Sequence, residues 1–285
     1  MITCQTIDAI RQQVADWKTA GDTIAFVPTM GNLHAGHLQL VSQARQQASR
    51  VVVSIFVNPL QFNEAADFEH YPRTIDEDCR QLQSAAVDAL FLPTLDVIYP
   101  HGQSATTKVI VPGLGDILEG EHRPGHFTGV TTVVNKLFNM VQPDLAFFGE
   151  KDYQQLMLIR RMRDDLDMPV QVRGVATQRE PDGLAMSSRN GRLDAGERQL
   201  APCLYQQLAE IEGAIARGEE DFRQLEQDAE AHLDRQGFRT EYVRICRQQD
   251  LSAAQPGDDK LVILLAAWLG QTRLIDNISF SSPSA

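Results

Sequence analysis

The sequence has little of what marks disulfide scaffolds and membrane proteins. Its four cysteines, Cys4, Cys79, Cys203 and Cys246, are widely spaced and form no CxxC pair. A dense disulfide framework is therefore excluded, and reduced structural thiols are expected. The longest apolar run, residues 261–269, is about half the length that a membrane-spanning helix requires. The composition therefore gives no reason to expect a membrane as a partner.

Basic side chains are also scarce. Lysine and arginine number 26 against 38 aspartates and glutamates, which leaves a formal net charge of −12. A field of that sign repels polyanions, so nucleic acid, including tRNA, is not an expected partner. The opening residues, MITCQTIDAIRQQVADW, lack a basic region followed by an apolar core. No secretion signal is indicated, and a cytoplasmic location is expected.

Short apolar segments alternate with helical patterns through the first part of the chain. They are rich in β-branched and aromatic residues, as are strands that are covered on both faces. The predicted strands are 23–27, 51–58, 89–92, 145–148 and 170–175, with 108–111 as a further candidate. This alternation predicts an α/β fold over residues 1–176, with a Rossmann-like parallel sheet and helices on both faces.

The pattern changes at a polar, turn-rich segment, residues 178–190, which we interpret as a domain junction. Helical periodicity then runs to about residue 236, and three strand patterns follow at 241–247, 261–268 and 273–280. They predict a smaller α+β C-terminal domain over residues 177–285. Elsewhere, a helix is predicted at 74–83 with Thr74 as its cap. Residues 63–73 are expected to be irregular, and 112–128 to form either a mobile lid or an ordinary surface loop.

The stretch 27–41, VPTMGNLHAGHLQLV, joins a buried strand to an amphipathic helix through a turn that carries His34 and His37. Such a turn lies beyond the carboxyl end of its strand, and the free N–H groups at the start of the helix form a seat for phosphate. Two other interpretations are open. The histidines can be structural, or the H-x-x-H spacing can bind zinc, although no glutamate follows as in HExxH motifs and no cysteine lies nearby.

Other polar residues follow the ends of the neighbouring predicted strands. Gln61 comes after the second strand, and Lys151 comes directly after 145–148. A lysine at the carboxyl end of a parallel strand can direct its ammonium group at phosphate, although a surface lysine is the alternative. Gln155 lies one turn into the next helix and can face the same cleft. Ser187, Ser188 and Arg189 stand beside a glycine turn, where a helix cap is the alternative to a phosphate loop.

Several segments together resemble the pantoate–β-alanine ligase family, within the nucleotidyltransferase superfamily that has the HxGH signature. They run in order over nearly the whole chain: PTMGNLHAGH, SIFVNPLQF, YPRT, RPGHFTGV, FFGEKDYQQL, DGLAMSSRN and RLIDN. The resemblance implies ATP-dependent ligation of pantoate and β-alanine to pantothenate through a pantoyl adenylate, with release of AMP and pyrophosphate. It also implies Mg²⁺ on the triphosphate, a C-terminal domain that acts as a lid, and a homodimer.

The resemblance also assigns residues to roles. The catalytic residues it implies are His34, His37, Lys151, Ser187, Ser188 and Arg189. The ATP-binding residues it implies are Met30, Gly31, Asn32, Leu33, His34, Ala35, Gly36, His37, Gly149, Glu150, Lys151, Asp152, Gln178, Met186, Ser187, Ser188 and Arg189. Pantoate is expected on Gln61 and Gln155, with Pro28, Met30, Phe62 and Val134 around its methyl groups. No carboxylate cage is visible, so no metal ligand is assigned.

One departure and two alternatives accompany the resemblance. Family members often carry an acidic residue between the first histidine and the glycine, where this chain has Ala35, which leaves the tuning of His34 open. A nucleotidylyltransferase of the same superfamily would release only pyrophosphate. A non-catalytic nucleotide-sensing module is the alternative from another class, and the histidines, Lys151 and the Ser-Ser-Arg loop argue against it.

Overall fold

The computed structural model describes residues 1–63 and 65–282. The chain divides into two compact units, Met1–Ala176 and a second unit that begins at Thr177. Within the described residues, no helix combines the length and the apolar character needed to cross a bilayer.

The first unit alternates strands and helices. In chain order these are β1 (Ile2–Cys4), α1 (Ile7–Thr19), β2 (Ile24–Thr29), α2 (Ala35–Gln47), β3 (Arg50–Ile55), α3 (Ala65–Glu69), α4 (Ile75–Ser84), β4 (Ala89–Phe91), α5 (Leu95–Ile98), α6 (Glu119–His122), α7 (His126–Val141), β5 (Leu145–Gly149), α8 (Tyr153–Asp165) and β6 (Gln171–Val175). Short 3-10 turns, Pro59–Gln61 and Glu150–Asp152, follow β3 and β5.

The strands of this unit form one parallel sheet in the order β1-β4-β3-β2-β5-β6. The chain moves outward from β2 through β3 to β4, and then returns to the other side of β2 with β5. The order in which strands are added to the sheet therefore reverses between β2 and β5. Ligands bind beyond the carboxyl ends of the strands at such a switch point, which positions the turns after β2, β3 and β5 at the site.

Helices cover both faces of the sheet because successive residues of its central strands are apolar. Phe26 of β2 packs in a core with Val14 of α1 and Phe138 of α7. Its neighbour Val27 points to the opposite face and packs in a second core with Val41 of α2. Strand residues alternate in direction, so an unbroken apolar run fills two cores. The predicted fold class is confirmed.

The second unit has an antiparallel sheet with helices against it. Its elements are α9 (Ala195–Leu200), α10 (Cys203–Ala216), α11 (Phe222–Arg235), β7 (Arg239–Arg247), β8 (Lys260–Leu269) and β9 (Thr272–Ser281), with a 3-10 turn at Asn190–Arg192. The strand order is β7-β8-β9, and both pairs are antiparallel. Leu208 of α10 and Leu233 of α11 are fully buried in a core with Ile263 of β8. This is the α+β arrangement that the sequence predicts.

Some local predictions were wrong. Residues 108–111 form no strand, because the hydroxyl groups of α7 satisfy the backbone of Val109: Thr132 accepts its N–H at 3.0 Å, and Thr131 donates to its carbonyl at 2.6 Å. Strand β1 at the sheet edge was not predicted. Helix α3 lies in a segment expected to be irregular, and α6 lies in one expected to be a mobile lid or a surface loop. Thr74 precedes α4 but makes no side-chain cap, because its hydroxyl donates to Asp78 instead.

Candidate active site

The turn between β2 and α2 holds both signature histidines in a reciprocal cap. His34 is the N-cap residue of α2, and its Nδ1 accepts the N–H of Gly36 at 3.2 Å. The Nδ1 of His37 accepts the N–H of His34 at 3.3 Å. The two rings lie 4.1 Å apart, centroid to centroid. The histidines therefore satisfy backbone donors at the helix start, as serine or aspartate do in ordinary caps.

This cap decides where the imidazole protons are. A nitrogen that accepts a backbone N–H carries no proton, so in each neutral ring the proton is on Nε2. The cap also orients His34 through the main chain of Gly36, with exposed Ala35 in the position where the family often has an acidic residue. Each histidine is thus held with an Nε2–H donor directed away from the helix backbone.

Both histidines are neutral near pH 7. Burial lowers the pKa of His34 to about 4, with a further contribution from the positive charge of Lys151 and an opposing one from Asp152. Burial lowers the pKa of His37 to about 3, and His34 and Lys151 add to the effect. The sequence interpretation grouped these histidines with cations and donors; their geometry and pKa values make them neutral donors.

The turn ahead of the histidines is fixed by Asp78, which the sequence interpretation did not identify. Asp78 lies on α4 and is 1% exposed. Its Oδ2 accepts the N–H of Asn32 at 3.0 Å, and its Oδ1 accepts the N–H of Leu33 at 2.9 Å. Asn32 has a φ of 49°, and the preceding Gly31 a φ of 79°. The carboxylate therefore pairs two N–H groups of a left-handed stretch of backbone, a conformation that glycine and asparagine adopt more readily than other residues.

Lys151 lies in the 3-10 turn directly after β5, the strand beside β2. Its Nζ is 4.0 Å from Asp152 Oδ1, and 18% of its side chain is exposed. Its positive charge contributes to the lowered pKa of both histidines, in keeping with its place at the end of the strand that pairs with β2. The predicted convergence of His34, His37 and Lys151 at one edge of the sheet therefore occurs in the structure. With them come the predicted backbone segments 30–37 and 149–152.

Gln61 reaches the same edge from the 3-10 turn after β3. Its Nε2 lies 2.9 Å from the Sδ of Met30, in the turn after β2. The carbonyl of Gln61 accepts from Arg123 Nη2 at 3.1 Å and is 2.7 Å from His126 Nδ1. Since a carbonyl only accepts, His126 carries its proton on Nδ1. Burial, with the charge of Arg123, lowers the pKa of His126 to about 4 and keeps the ring neutral.

The other predicted substrate residues lie in different surroundings. Pro28 is in β2 opposite Ser54, and Val134 is a buried residue of α7. Phe62 makes edge contacts with Phe68 and Tyr71, with ring centroids 5.5 and 5.6 Å away. Gln155 is half-buried in the first turn of α8.

The residue next to Gln155 has a structural task. Gln154 is 4% exposed, and its amide accepts the N–H of Glu119 and donates to the carbonyls of Leu114 and Ile117. It ties the segment before α6 to α8. Of two adjacent glutamines with the same sequence signal, only Gln155 is left half-exposed for a ligand.

The remaining predicted nucleotide residues belong to the second unit, in a hairpin. The N–H of Met186 donates to the carbonyl of Gln178 at 2.9 Å, and Arg179 and Ala185 form an antiparallel bridge. Ser187, Ser188 and Arg189 follow and are all half-buried. The Ser187 hydroxyl accepts the N–H of Arg189 at 3.2 Å, so at least this serine caps a turn.

Arg179 and Asp276 anchor the hairpin, and sequence reasoning assigned neither a role. Arg179 makes a bidentate ion pair with Asp276, in which Nη1 lies 2.6 Å from Oδ2 and Nη2 lies 3.0 Å from Oδ1. Its guanidinium also lies 3.9 Å from the ring centre of Tyr205. The Asp276 side chain is 2% exposed. The RLIDN segment that carries part of the resemblance therefore holds the hairpin that precedes the Ser-Ser-Arg loop.

The amino-acid sequence matches a family of known enzymes. The family model described as Pantoate-beta-alanine ligase matches residues 2–279. The chain belongs to the pantoate–β-alanine ligase family. It is therefore an ATP-dependent ligase of pantoate and β-alanine, as the sequence predicts, and the transferase and sensing alternatives are set aside.

Relatives of this ligase family match the chain over nearly its full length. The pantothenate synthetase of Thioalkalivibrio sulfidiphilus is 55% identical over 283 residues, which are 99% of each chain. A crystal structure of pantothenate synthetase from Thermus thermophilus is 42% identical, with a TM-score of 0.91, and the match covers 98% of this chain and 99% of that one. The pantoate–β-alanine ligase of Francisella tularensis, solved in complex with "Beta-gamma ATP and Beta-alanine", is 35% identical, with a TM-score of 0.81 over 98% and 97% of the two chains.

Of the residues that sequence reasoning missed, Asp78 has a weak signal in the sequence. Asp78 lies between Ile75 and Leu82 on the inward stripe of α4, whereas Asp76 and Glu77 are exposed. A charged residue on an apolar helical stripe is unusual and indicates a buried partner. The acidic cluster at the start of α4 obscured this signal, because acidic residues are expected there for the helix dipole.

Proposed function

We propose that this ligase works through a pantoyl adenylate. A carboxylate oxygen of pantoate bonds to the α-phosphorus of ATP, and the bond to the bridging oxygen breaks so that pyrophosphate leaves. The amine of β-alanine then attacks the acyl carbon, the amide bond forms, AMP leaves with its oxygen, and a proton goes to solvent. Both steps build negative charge at phosphate, so catalysis needs oriented donors and cations.

The observation that carries this proposal is the reciprocal histidine cap beside Lys151. It holds two neutral Nε2–H donors next to an ammonium group, at the start of a helix and the switch point of the sheet. Each of these features favours a bound phosphate. Neutral imidazoles donate to phosphate oxygens without changing their own charge as the reaction proceeds. We assign His34, His37 and Lys151 to the phosphates on this basis.

We assign the acid substrate to the turns after β3 and β5. Gln61 and Gln155 supply amide groups for the hydroxyl and carboxylate of pantoate. Pro28, Met30, Phe62 and Val134 supply apolar surface for its geminal methyl groups. The direct contact between Gln61 and Met30 supports this grouping, because it joins the polar and apolar parts of the proposed pocket.

The nucleotide assignment extends to the second unit by resemblance. Gln178, Met186, Ser187, Ser188 and Arg189 are proposed to contact ATP, which makes this unit the lid of the enzyme. The ion pair of Arg179 with Asp276 supports the assignment, because it gives the hairpin a defined shape within its own unit. A guanidinium group has the planar fork that suits phosphate oxygens.

Magnesium is proposed to arrive with the triphosphate. Among the described residues, no group of three or more histidine, cysteine, aspartate or glutamate side chains could hold a metal ion. Magnesium is commonly bound through phosphate oxygens and water, so the residues present fit an ion carried by the substrate. When bound, it would neutralise phosphate charge, while the residues named above orient the reacting groups.

The proposal is tested by isotope exchange between pyrophosphate and ATP. Pantoate alone should support the exchange without β-alanine, because the adenylate forms first. The nucleotide product of the complete reaction should be AMP. Formation of ADP, or an absolute requirement for β-alanine in the exchange, would contradict the adenylate route.

A homodimer and a cytoplasmic location complete the proposal. The dimer rests on the family resemblance, and analytical ultracentrifugation at micromolar concentration measures it directly. The cytoplasmic location is consistent with four free cysteines, two of them buried, which suit a reducing compartment. Cell fractionation tests the location.

A further inference from the structure

A buried network behind the proposed pantoate site determines which end of the Gln61 amide faces the substrate. Its centre is Asn58, which is 1% exposed and caps the 3-10 turn that carries Gln61. The Oδ1 of Asn58 accepts from the N–H of Leu60 at 3.3 Å and from the hydroxyl of Tyr99 at 2.7 Å. Its Nδ2 donates to the carbonyl of Gly129 at 3.0 Å and to Gln61 Oε1 at 3.2 Å.

Two backbone groups make this orientation of Asn58 unique. The carbonyl of Gly129 only accepts, so it must face Nδ2, and the N–H of Leu60 only donates, so it must face Oδ1. Exchanging the two ends of the amide would set oxygen against oxygen and N–H against N–H. The close approach that permits this needs glycine at 129, because a Cβ there would lie 2.3 Å from the carbonyl oxygen of Leu60.

The orientation of Asn58 passes to Gln61. Because Nδ2 of Asn58 carries only donors, it must face the oxygen of the Gln61 amide, and the Gln61 nitrogen turns the other way. That nitrogen points to the thioether sulfur of Met30, which is a weak acceptor. A carboxylate or hydroxyl oxygen of a substrate is a stronger acceptor and can take its place. The free end of the Gln61 amide is therefore its N–H donor end.

Tyr99 is the member of the network that can be altered most cleanly. It is 2% exposed, its ring centroid is 6.2 Å from that of Phe56, and Lys136 Nζ lies 5.8 Å from the ring centre. Its hydroxyl makes the shortest bond to Asn58, at 2.7 Å. Without it, Oδ1 keeps only the longer bond from Leu60, so Asn58 keeps its orientation through Leu60 and Gly129 but is held less firmly.

We propose that Tyr99 is a positioning residue that restrains Asn58 and through it holds Gln61 in place as a donor, so that this subsite selects an acid with an acceptor oxygen there. The inference rests on the proposed function, in which Gln61 binds pantoate. A substrate analogue that carries a protonated amine in place of the oxygen that Gln61 binds presents only N–H donors and is disfavoured, because its donors meet the Gln61 donors.

The experiment is steady-state kinetics of Tyr99→Phe, which keeps the ring and removes one oxygen. The KM for pantoate should rise roughly tenfold, the scale of losing one buried hydrogen bond. The KM values for ATP and β-alanine should change less than about twofold by the same reasoning, because Tyr99 acts on Gln61 alone. Equal rises for all three substrates, or an unchanged KM for pantoate, would overturn the proposal.

A double-mutant cycle with Gln61→Ala separates positioning from general damage. If Tyr99 acts through Gln61, Tyr99→Phe should not change the KM for pantoate further in the Gln61→Ala background. Additive effects would contradict the proposal.

The Gln61→Glu variant tests the donor assignment of Gln61 even if Tyr99→Phe does not fold. It puts an oxygen where Nε2 was, so the KM for pantoate must rise more than the KM for ATP, and equal or absent changes reject the donor assignment.

The test of the Tyr99 positioning role can fail without the adenylate route failing, and the two failures can be told apart. Pantoate-dependent exchange of pyrophosphate in the parent tests the adenylate route without any variant. A parent that shows this exchange together with a Tyr99→Phe variant of parent-like KM would refute only the positioning role.

Discussion

The carboxylate of Asp78 lies 2.9 Å from the backbone nitrogen of Leu33, although 45 residues separate the two in sequence. This bond and its partner to Asn32 join α4 to the turn that precedes the signature histidines. An ionised carboxylate is well suited to this position, because the Thr74 hydroxyl and both N–H groups are donors. The histidine site is thus supported by a residue outside the family signature.

Asp78→Asn should lower both stability and turnover. Asparagine has one acceptor oxygen, so one buried N–H of the turn loses its partner at a cost of about 1–3 kcal/mol in the free energy of unfolding. Asp76→Asn is the matched control, since Asp76 is exposed on the same helix. Urea denaturation and kcat measure the two effects. Equal behaviour of the two variants would show that Asp78 acts only as helix charge.

Substitution can distinguish the role of Nδ1 as an acceptor from the role of Nε2–H as a donor in each signature histidine. His34→Asn and His37→Asn keep an acceptor near the Nδ1 position and remove the Nε2–H donor. We expect parent-like melting temperatures and a loss of turnover on the order of 10² to 10³. Thermal denaturation and kcat are the measurements. A large fall in melting temperature with turnover unchanged would indicate that the histidines are structural.

His126 should make stability depend on pH. Its folded pKa is about 4, below its ordinary value of 6.5, so between these values the unfolded chain binds a proton that the folded chain does not. The free energy of unfolding should therefore fall as the pH drops from about 6.5 to about 4, by roughly 3 kcal/mol from this group. Urea denaturation at a series of pH values measures the slope.

The control is His126→Asn, whose Nδ2 can still donate to the carbonyl of Gln61 but does not titrate. This variant should show a shallower loss of stability between pH 6.5 and 4 than the parent. Parallel pH profiles would mean that His126 does not carry the effect. The pKa values of His34 and His37 are also lowered, so part of the slope should remain in the variant.

The hairpin of the second unit should depend on one buried ion pair. Arg179→Met removes the guanidinium group that faces the buried Asp276 carboxylate, which should lower the free energy of unfolding by about 3–5 kcal/mol. Arg198→Met is the control, because Arg198 pairs with partly exposed Asp182 of the same hairpin, and such pairs contribute less than about 1 kcal/mol. Urea denaturation compares the two variants. The KM for ATP should also rise in Arg179→Met if Met186 and Arg189 bind the nucleotide.

Much of the fold and the position of the histidines could be predicted from residues that are close together in the sequence. The strand, glycine turn and histidine helix are consecutive in sequence, so the position of His34 and His37 at the end of β2 follows from residues 24–37 alone. Lys151 was found for the same reason, because it follows β5 directly. The parallel sheet was predictable because its central strands are unbroken apolar runs, which can be read directly from the sequence. The family resemblance added the reaction and the residue roles.

Tertiary structure decided what these residues can do. The charge state of His34 and His37 depends on burial and on Lys151, which belongs to a distant part of the sequence. Tyr99 reaches Asn58 across 41 residues, and Arg179 reaches Asp276 across 97. No periodic pattern connects such pairs, because each contact exists only after separate elements have packed. Sequence therefore determined which chemical groups are present and which strands carry them, whereas packing determined their protonation, their orientation and the partners of each end of the Gln61 amide.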